Sequence, residues 1–414
     1  MKTVLFLALL ALPACGLRAQ DFSTATMRPI TLGETCKLAL ARSEALAQQG
    51  EAVKQLDAAE RAVAASFRPV FDANAAQSKQ QNAASVTRGY LSGRYSLFSG
   101  MRDYIGARAA SAQTHAASLD LERARQALYL NAAQSYLDLF SAQQEVLIRR
   151  EQMDITARRV AELEARADIG RSRKSEVVAA KTQLAQDSAN YLAAAGAERL
   201  AQQALLFITG LDTDLLPAGL SLTRGAPLAE YLKLALLRPD LAARRKSLDS
   251  YGYLAEIQEH SLWPTVDLSA NYYVIKRPMP SPVNRWDGTV ALNLPLYTGG
   301  SAGARKDSAY AAKRSAALAV QLAERQALTE VRSAYEEHKY SLLQAASLRD
   351  ALALAADNAG YQQADYKLGL VTNLDVLNAM NTVLQTRLAL AQAKVRCDLT
   401  LLKLETAAGL EPKQ

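Results

Sequence analysis

The chain repeats itself once, and this duplication limits its fold more than any other feature. The shift between the two copies is 199 residues over most of the chain and 195 to 196 residues in the early part. A shift that changes only by small insertions marks a duplicated structural unit. Residues related by the longer shift include Phe98 and Tyr297, Gly100 and Gly299, Tyr136 and Tyr335, Gly170 and Gly369, and Glu176 and Asp375.

Proline is absent from two long stretches of the chain. None lies between Val70 and Leu216, and none lies between Leu296 and Leu410. Both stretches are rich in Ala, Leu, Gln, Glu and Arg, which favour helices. We therefore predict long helices over 31–66, 101–168 and 173–209 in the first repeat and over 228–262, 300–368 and 372–408 in the second.

Apolar residues in the second long helix are spaced alternately by three and four positions. This spacing is typical of the contact line of a coiled coil. We therefore expect the helices to pack side by side along most of their length. The residues on this line are Leu328, Val331, Tyr335, Leu342, Ala345 and Leu352.

Two other segments alternate between apolar and polar residues, which predicts strands. Val266, Leu268 and Tyr272, for example, alternate with Asp267 and Asn271. Each repeat is therefore expected to contain one β-hairpin, with a polar or proline-rich loop between its strands. The predicted strands cover about 67–79, 88–98, 263–276 and 286–297.

The expected fold class is mainly α with a β-barrel part. Each repeat reads as helix, hairpin, long helix, tight turn and helix, and the long helix spans roughly 100 Å at the usual rise per residue. Two shorter helices placed end to end match that length. The predicted units are a first repeat over 30–211, an equatorial connector over 212–227 and a second repeat over 228–411.

Four strands with one apolar face cannot close a barrel by themselves. Open sheet edges do not occur in lipid, and transmembrane barrels have at least eight strands. Closure therefore requires more than one chain, and three chains would supply about twelve strands. Trp263 and Trp286 lie near predicted strand ends, where aromatic residues favour the membrane interface.

The first residues predict export. Lys2 precedes an apolar run from Val4 to Leu12, which is too short to span a bilayer and is typical of a cleaved signal peptide over 1–19. The alternative is a lipoprotein signal that ends before Cys15, which would then be lipidated. No later segment is apolar for long enough to predict a transmembrane helix.

The duplicated sequence, with these helices and hairpins, resembles the TolC-like outer-membrane efflux and secretion channels. The resemblance covers about 30–411. The run 294–300, with the sequence LPLYTGG, is similar to the strand-to-helix motif of the family, and 97–100 repeats it more loosely. The run 366–377, with the sequence YKLGLVTNLDVL, is similar to the periplasmic tip. The motif residues are Pro295, Tyr297, Gly299 and Gly300, with Phe98 and Gly100 in the first repeat.

The resemblance implies an outer-membrane homotrimer. Its twelve-stranded barrel, surrounded by outer-membrane lipid, would continue into a periplasmic α-helical tunnel. The implied partners are a periplasmic adaptor (membrane fusion) protein and an inner-membrane pump of the RND, ABC or MFS type. The implied function is the channel of a tripartite efflux or type I secretion system in a Gram-negative bacterium.

The resemblance also implies a gate at the periplasmic tip. Tyr366 matches a tyrosine that helps to tie the closed tip, and Asp375 matches an aspartate ring in the lumen. The family pattern has an arginine where this chain has Val371 and a second aspartate where it has Asn378. Thr372 and Asp375 also fit a capping box, so Asp375 either gates the channel or only caps a helix.

The two tip turns are the expected adaptor contacts. Glycine at each turn also fits a left-handed helix stop without any partner. The basic residues of the first turn fit a solvated turn as well as an adaptor contact. The residues concerned are Gly170, Arg171, Ser172 and Arg173 in the first turn and Gly369, Leu370 and Val371 in the second.

Composition argues against several other classes of protein. With 3 histidines and 3 cysteines, the chain is poor in the ligands that most metal enzymes use, and we expect no metal and no cofactor. The net charge of +7 is spread along the chain, which argues against nucleic-acid binding. The run 299–303 fits G-x-S-x-G, but every histidine falls in a predicted helix, so we expect no enzyme.

Two alternatives stay open from sequence alone. The first is a periplasmic coiled-coil scaffold or adaptor without a pore, which the lipid-type alternation of the hairpins disfavours. The second concerns Cys36 and Cys397, which are both expected near the middle of the rod. They either form a disulfide or remain as two half-buried thiols.

Overall fold

The computed structural model describes residues 28–79, 81, 85–170, 172–211, 214–218, 225–277 and 284–410. The predicted signal peptide, Cys15 and Arg171 lie outside the described residues, as do 411 and parts of the predicted connector and hairpin loops. None of the described helices combines the length and the apolar character that crossing a bilayer would require.

Eight helices and six strands make up the described part of the chain. The helices are α1 (Leu32–Arg42), α2 (Glu44–Ala64), α3 (Arg102–Asp168), α4 (Lys174–Thr209), α5 (Leu228–Ala235), α6 (Pro239–Glu259), α7 (Ser301–Lys367) and α8 (Asn373–Ala407). The strands are β1 (Arg28–Ile30), β2 (Val70–Ser78), β3 (Val86–Phe98), β4 (Leu215–Pro217), β5 (Thr265–Arg277) and β6 (Trp286–Asn293).

Two of the predicted helices are interrupted. The predicted helix 31–66 breaks at Ser43, whose backbone is extended and whose hydroxyl accepts a hydrogen bond from the Leu46 amide and thereby caps α2. The predicted helix 228–262 breaks before Pro239, because a residue that precedes proline disfavours the helical conformation. Arg238 is accordingly extended, with φ −54° and ψ 143°.

The last predicted strand is also shorter than expected. Residues 286–297 were expected to form it, but β6 ends at Asn293. Pro295 has no backbone N–H to donate to a neighbouring strand, so the ladder does not continue through it.

The four long strands form one antiparallel sheet in the order β2-β3-β5-β6. Away from the two register shifts between β3 and β5, directly paired residues share a face, and the pairing places most of the large apolar side chains on one face of the sheet. Hydrogen bonds on the polar face join Asn74 to Ser92 at 3.0 Å and Asn271 to Asp287 at 2.8 Å. The apolar face carries Phe71, Ala73, Leu91, Tyr95, Val266, Leu268, Tyr272, Trp286, Val290 and Leu292.

The helices form one layer that continues from this sheet. Near the sheet, α3 and α7 lie on either side of α6, and α2 packs on the far side of α3. In the other half, the order is α4, α3, α8 and α7. The two long helices have 67 residues each, so the layer is about 100 Å long.

A short parallel pair of strands, β1 and β4, crosses the middle of the rod. The hydroxyl of Tyr136 donates within this region, at 3.1 Å from the Ile30 carbonyl oxygen and 2.7 Å from that of Ala218. Leu139, Leu205 and Leu215 belong to the apolar core beneath it. The sequence analysis did not predict this pair, because three-residue strands carry no detectable alternation.

The duplication also repeats a helix-capping interaction. Arg42 donates to the Gly210 carbonyl oxygen at 3.0 Å, beyond the end of α4. In the second repeat Arg238 donates to the Ala407 carbonyl oxygen at 3.0 Å, at the end of α8. Cationic side chains stabilise helix C-termini, so each repeat joins its first short helix to the end of its last one.

Arg238 should contribute more to stability than Arg42. Its side chain is only 4% exposed and pairs with Asp240 at 2.7 Å and Glu330 at 2.6 Å. We expect Arg238→Ala to cost about 2 kcal/mol, because it leaves the half-buried Asp240 carboxylate and the Ala407 carbonyl oxygen without the donor that they share. Arg42→Ala, the matched control at an exposed site, should cost less than about 1 kcal/mol. Thermal unfolding in detergent measures the difference, and equal shifts would contradict this assignment.

The effect should also depend on pH. Burial acts to raise the pKa of Asp240, but the hydrogen bond and charge of Arg238 outweigh burial and lower that pKa below its usual value. A carboxyl whose pKa is lowered by folding stabilises the fold above its unfolded pKa. The stability that this pair adds should therefore be complete at neutral pH and decline below about pH 4.

Candidate functional site

The end of the rod opposite the sheet consists of two tight turns. Gly170 and Gly369 both have positive φ, 72° and 77°, which glycine adopts without strain. The Gly369 amide donates to the Tyr366 carbonyl oxygen and the Leu370 amide to that of Asp365, both at 3.0 Å. These bonds satisfy the last carbonyl groups of α7, so the turn reverses the chain within a few residues.

Thr372 and Asp375 form a capping box at the start of α8. The Thr372 amide donates to Asp375 Oδ2 at 2.8 Å, and the Asp375 amide donates to Thr372 Oγ1 at 3.4 Å. Hydrogen bonds from Thr372 lower the pKa of Asp375, so its carboxylate is charged at neutral pH. The capping part of the sequence-based alternative is therefore present, and a gating role stays a prediction.

The first turn repeats this arrangement in part. Ser172 Oγ donates to Glu176 Oε2 at 2.6 Å at the start of α4. Arg173, the residue before α4, is exposed. The charge of Arg173, one of the predicted adaptor contacts, therefore faces solvent in a single chain.

A buried arginine joins α3 to the tip of α8. Arg159 is 7% exposed and donates to Asn373 Oδ1 through two nitrogens, at 3.1 and 3.0 Å. A third bond reaches Glu162 at 2.9 Å. Asn373 is itself buried, so its amide oxygen depends on Arg159 for its hydrogen bonds.

Tyr366 covers the same arginine. The guanidinium carbon of Arg159 lies 4.3 Å from the centre of the Tyr366 ring, and that of Arg166 lies 5.5 Å away. Both distances fit cation–π contacts. We name Arg159, Glu162, Arg166, Tyr366 and Asn373 the tip cluster, because together they connect α3 with α7 and α8.

The tip cluster was only partly visible in the sequence. The family resemblance indicated Tyr366, but the analysis missed Arg159 and Asn373. One indication was present in the sequence. Val371 stands where the family pattern has an arginine, so a charged partner for Tyr366 had to come from elsewhere in the chain. The structure supplies that partner from the other repeat, because α3 and α8 are neighbours in the layer.

A second polar group lies farther along the helices. Thr156 Oγ1 donates to Asp187 Oδ2 at 2.6 Å, and Gln183 Nε2 donates to Asp187 Oδ1 at 2.9 Å. Asn381 on α8 donates to Gln183 at 3.3 Å. Within this group, the bond from Asn381 joins the two repeats, and the bond from Thr156 holds α3 and α4 together in the first repeat.

Most of the remaining tip residues are exposed. Asn378 lies one turn after Asp375 on the surface, and Val371 is half-buried. Four large apolar side chains are between 61% and 73% exposed at this end of the rod, and such patches mark interaction sites. They are Ile169, Leu368, Leu370 and Leu374.

The strand-to-helix motif lies at the sheet end. Gly299 and Gly300 have positive φ, 61° and 81°, and Gly300 is the residue before α7. In the first repeat Gly100 has φ 66°, and a Cβ there would lie 2.9 Å from Trp263 Cβ. Phe98 pairs with Val266 at the end of β3, whereas Tyr297 is 86% exposed, two residues after Pro295.

The two described cysteines are free thiols. Cys36 is buried, and burial raises the pKa of its thiol to about 12. A thiol with so high a pKa is a poor nucleophile at neutral pH. Of the two sequence-based alternatives, the structure therefore has the unpaired one.

Comparisons with known proteins agree with this architecture. Residues 232–410 match the family model described as Outer membrane efflux protein. The chain is 25% identical over 305 residues to the outer membrane efflux protein BepC of Brucella suis, covering 72% of this chain and 66% of BepC.

Solved structures show the same fold. VceC of Vibrio cholerae is 22% identical with a TM-score of 0.81, covering 92% of this chain and 97% of VceC. The CmeC outer membrane channel of Campylobacter jejuni is 19% identical with a TM-score of 0.80, covering 92% of this chain and 87% of CmeC. The fold class predicted from the sequence is confirmed.

The buried arginine of the tip cluster gives a direct test of this site. Arg159→Leu should free the start of α8, because it leaves the buried Asn373 without its donors at a cost of about 2 kcal/mol. Amide hydrogen exchange at residues 373–379 should then be roughly 30-fold faster. Arg158→Leu is the matched control, because Arg158 is exposed and its substitution removes the same charge. Equal exchange rates in the two variants would contradict the tip cluster.

Proposed function

We propose that this chain, a member of the outer membrane efflux protein family, is a channel subunit. It would be the outer-membrane channel of a tripartite efflux or type I secretion system. The observation that carries the proposal is a sheet with one apolar face, one polar face and two free long edges. This sheet continues into a helical layer about 100 Å long. Lipid would surround the apolar face, and the polar face would line the pore.

Strand pairing supports the membrane assignment. Trp286 pairs with Tyr272, and Trp263 lies nine residues before Tyr272, so the two tryptophans are roughly 30 Å apart along the strand. Because strands of transmembrane barrels tilt by about 40°, this distance corresponds to about 23 Å along the bilayer normal, close to the height of about 25 Å of the apolar band of such barrels. Tryptophan favours both interfaces of a bilayer, and the apolar residues of the sheet lie between these two positions.

The free edges support a homotrimer. β2 and β6 each pair on one side only within the chain, and unpaired backbone groups are costly in lipid. Pairing β2 of one copy with β6 of the next satisfies both edges. Three copies would give about twelve strands, and the helical layers would then close into a tunnel.

The tip supports a gated, adaptor-facing end. It lies at the end of the rod opposite the sheet, which places it in the periplasm when the sheet spans the outer membrane. The exposed apolar residues Leu368 and Leu370 suit a protein partner, and exposed Arg173 adds a basic rim. We assign this surface to the periplasmic adaptor, which would connect it to a pump of the RND, ABC or MFS type.

The tip cluster suits a closed resting state. It holds α3, α7 and α8 together with a buried arginine, which replaces the arginine that the family pattern has at Val371. In a trimer, Asp375 would occur three times around the mouth. A ring of carboxylates favours cations, and narrow low-dielectric walls strengthen its field.

The periplasmic scaffold without a pore explains less. A scaffold has no use for a sheet whose apolar face is exposed to water in every copy. It would also leave the polar face, with its Arg94–Asp72 ion pair at 2.9 Å, without a role.

Planar-bilayer recordings test the channel directly. We expect the native protein to insert and give small conductance steps that favour cations. Arg159→Leu should give larger steps, because it removes the tip cluster. Failure to conduct, together with release from membranes by high salt without detergent, would instead support the scaffold.

Two variants in the same recordings separate gating from capping. Asp375→Asn removes the charge and should remove cation selectivity. Thr372→Val removes a capping hydroxyl but keeps the charge, so selectivity should survive. If Asp375→Asn leaves selectivity unchanged, Asp375 is a helix cap only.

A further inference from the structure

Both outer helices of the layer carry an apolar stripe that none of the residues described by the structure covers. Apart from Leu342, the exposed large apolar side chains of α7 lie within about a quarter of its circumference at ~100° per residue. The same is true of α4, whose stripe lies opposite its buried face. The stripes consist of Leu318, Leu322, Tyr340, Leu343, Leu354 and Tyr361 on α7 and Val178, Leu192, Leu200 and Phe207 on α4.

The duplication supplies a template for what covers these stripes. Helix α7 begins and ends 199 residues after α3, and α8 begins 199 residues after α4. The contact between α3 and α8 within the chain is therefore equivalent to a contact between α7 and the α4 of another copy. If the duplicated units surround one tunnel, each unit would contact the next through the same pair of helices, both within a chain and between chains.

The contact within the chain fixes a register. Helices α3 and α8 run antiparallel, so the numbers of paired residues have a nearly constant sum. Arg159 bonds to Asn373, Glu151 to Arg387, Arg123 to Thr406 and Gln126 to Gly409, which gives sums between 529 and 538. Going from α3 to α7 adds 199 to the residue number, and going from α8 to α4 subtracts 199. The sums of paired residue numbers are therefore the same for a contact between α7 and the α4 of another copy.

Only some of these sums place the apolar residues of the α4 stripe directly opposite those of the α7 stripe. At a sum of 532, Val178 faces Leu354, Leu192 faces Tyr340 and Ala189 faces Leu343. A shift of one helical turn in either direction keeps the same faces opposed but moves the two members of each pair about 5 Å apart along the helix axes, so they no longer lie side by side. At the same register, the exposed Lys174 comes beside the exposed Asp357, so the charges are complementary.

We propose that α4 of one copy packs antiparallel against α7 of the next copy with paired residue numbers that sum to about 532. This inference rests on the proposed trimer and adds its register. The equivalents of Arg159 and Asn373 at this contact are Asn358 and Lys174. The contact between copies therefore has apolar packing and a surface ion pair where the contact within a chain has a buried arginine.

A cysteine pair tests the register. Ala189→Cys with Leu343→Cys should form disulfides in membranes under mild oxidation and give covalent trimers on a non-reducing gel. The bonds can form only between copies, because α4 and α7 lie at opposite sides of the layer within one chain. The native chain with Cys36 and Cys397 serves as the blank.

The control pair is Ala189→Cys with Asp350→Cys. It is displaced by two turns, about 10 Å, which exceeds the Cα separation of a disulfide. Crosslinking of this pair in place of the first would overturn the register while leaving the trimer intact. Glutaraldehyde treatment of the native protein reports the trimer independently, and if it gives only monomers, both the trimer and this contact are refuted.

Charge reversal gives a second readout that does not depend on cysteine chemistry. Lys174→Asp and Asp357→Lys should each lower the temperature at which the trimer dissociates, because each places like charges together. The double variant should restore that temperature. If the double variant is as weak as the sum of the two single variants, these residues do not meet.

Discussion

Backbone amide and carbonyl groups in a bilayer have to find their hydrogen-bond partners within protein, and the rest of this structure depends on that constraint. The chain supplies a four-stranded sheet with two free edges and so cannot satisfy it alone. Pairing between copies removes both edges. That closure in turn fixes the circular arrangement of the helical layers, because each sheet continues directly into its own helices.

The duplication explains which features are shared and which are specialised. Both repeats use an arginine, Arg42 or Arg238, to cap the end of their last helix. Only the contact between α3 and α8 has the buried Arg159, however, and Tyr366 covers it there. In the proposed tunnel the two kinds of contact would thus have the same geometry and different chemistry, and the buried arginine would stabilise the tip within each chain.

Much of the fold could be predicted from the periodicity of apolar residues and from the positions of glycine and proline. Helix α3 begins one residue from the predicted start and ends at Asp168, as predicted, because a glycine lies just beyond each end, Gly100 and Gly170. The break at Ser43 was missed although its cap on Leu46 is local, whereas the β1–β4 pair was missed because it joins residues distant in the sequence. The same reason applies to the site. The local pattern predicted the Thr372–Asp375 cap, whereas Arg159 is 214 residues away from Asn373 and no local pattern connects them. Adaptor contact and gating by Asp375 stay predictions.

One chain thus supplies a third of the proposed conduit. Native mass spectrometry of the detergent-extracted protein counts the copies in an intact complex. We expect a single species with the mass of three mature chains. A folded, stable monomer in the same detergent would contradict this proposal, since the free edges of β2 and β6 would then have no need of a partner.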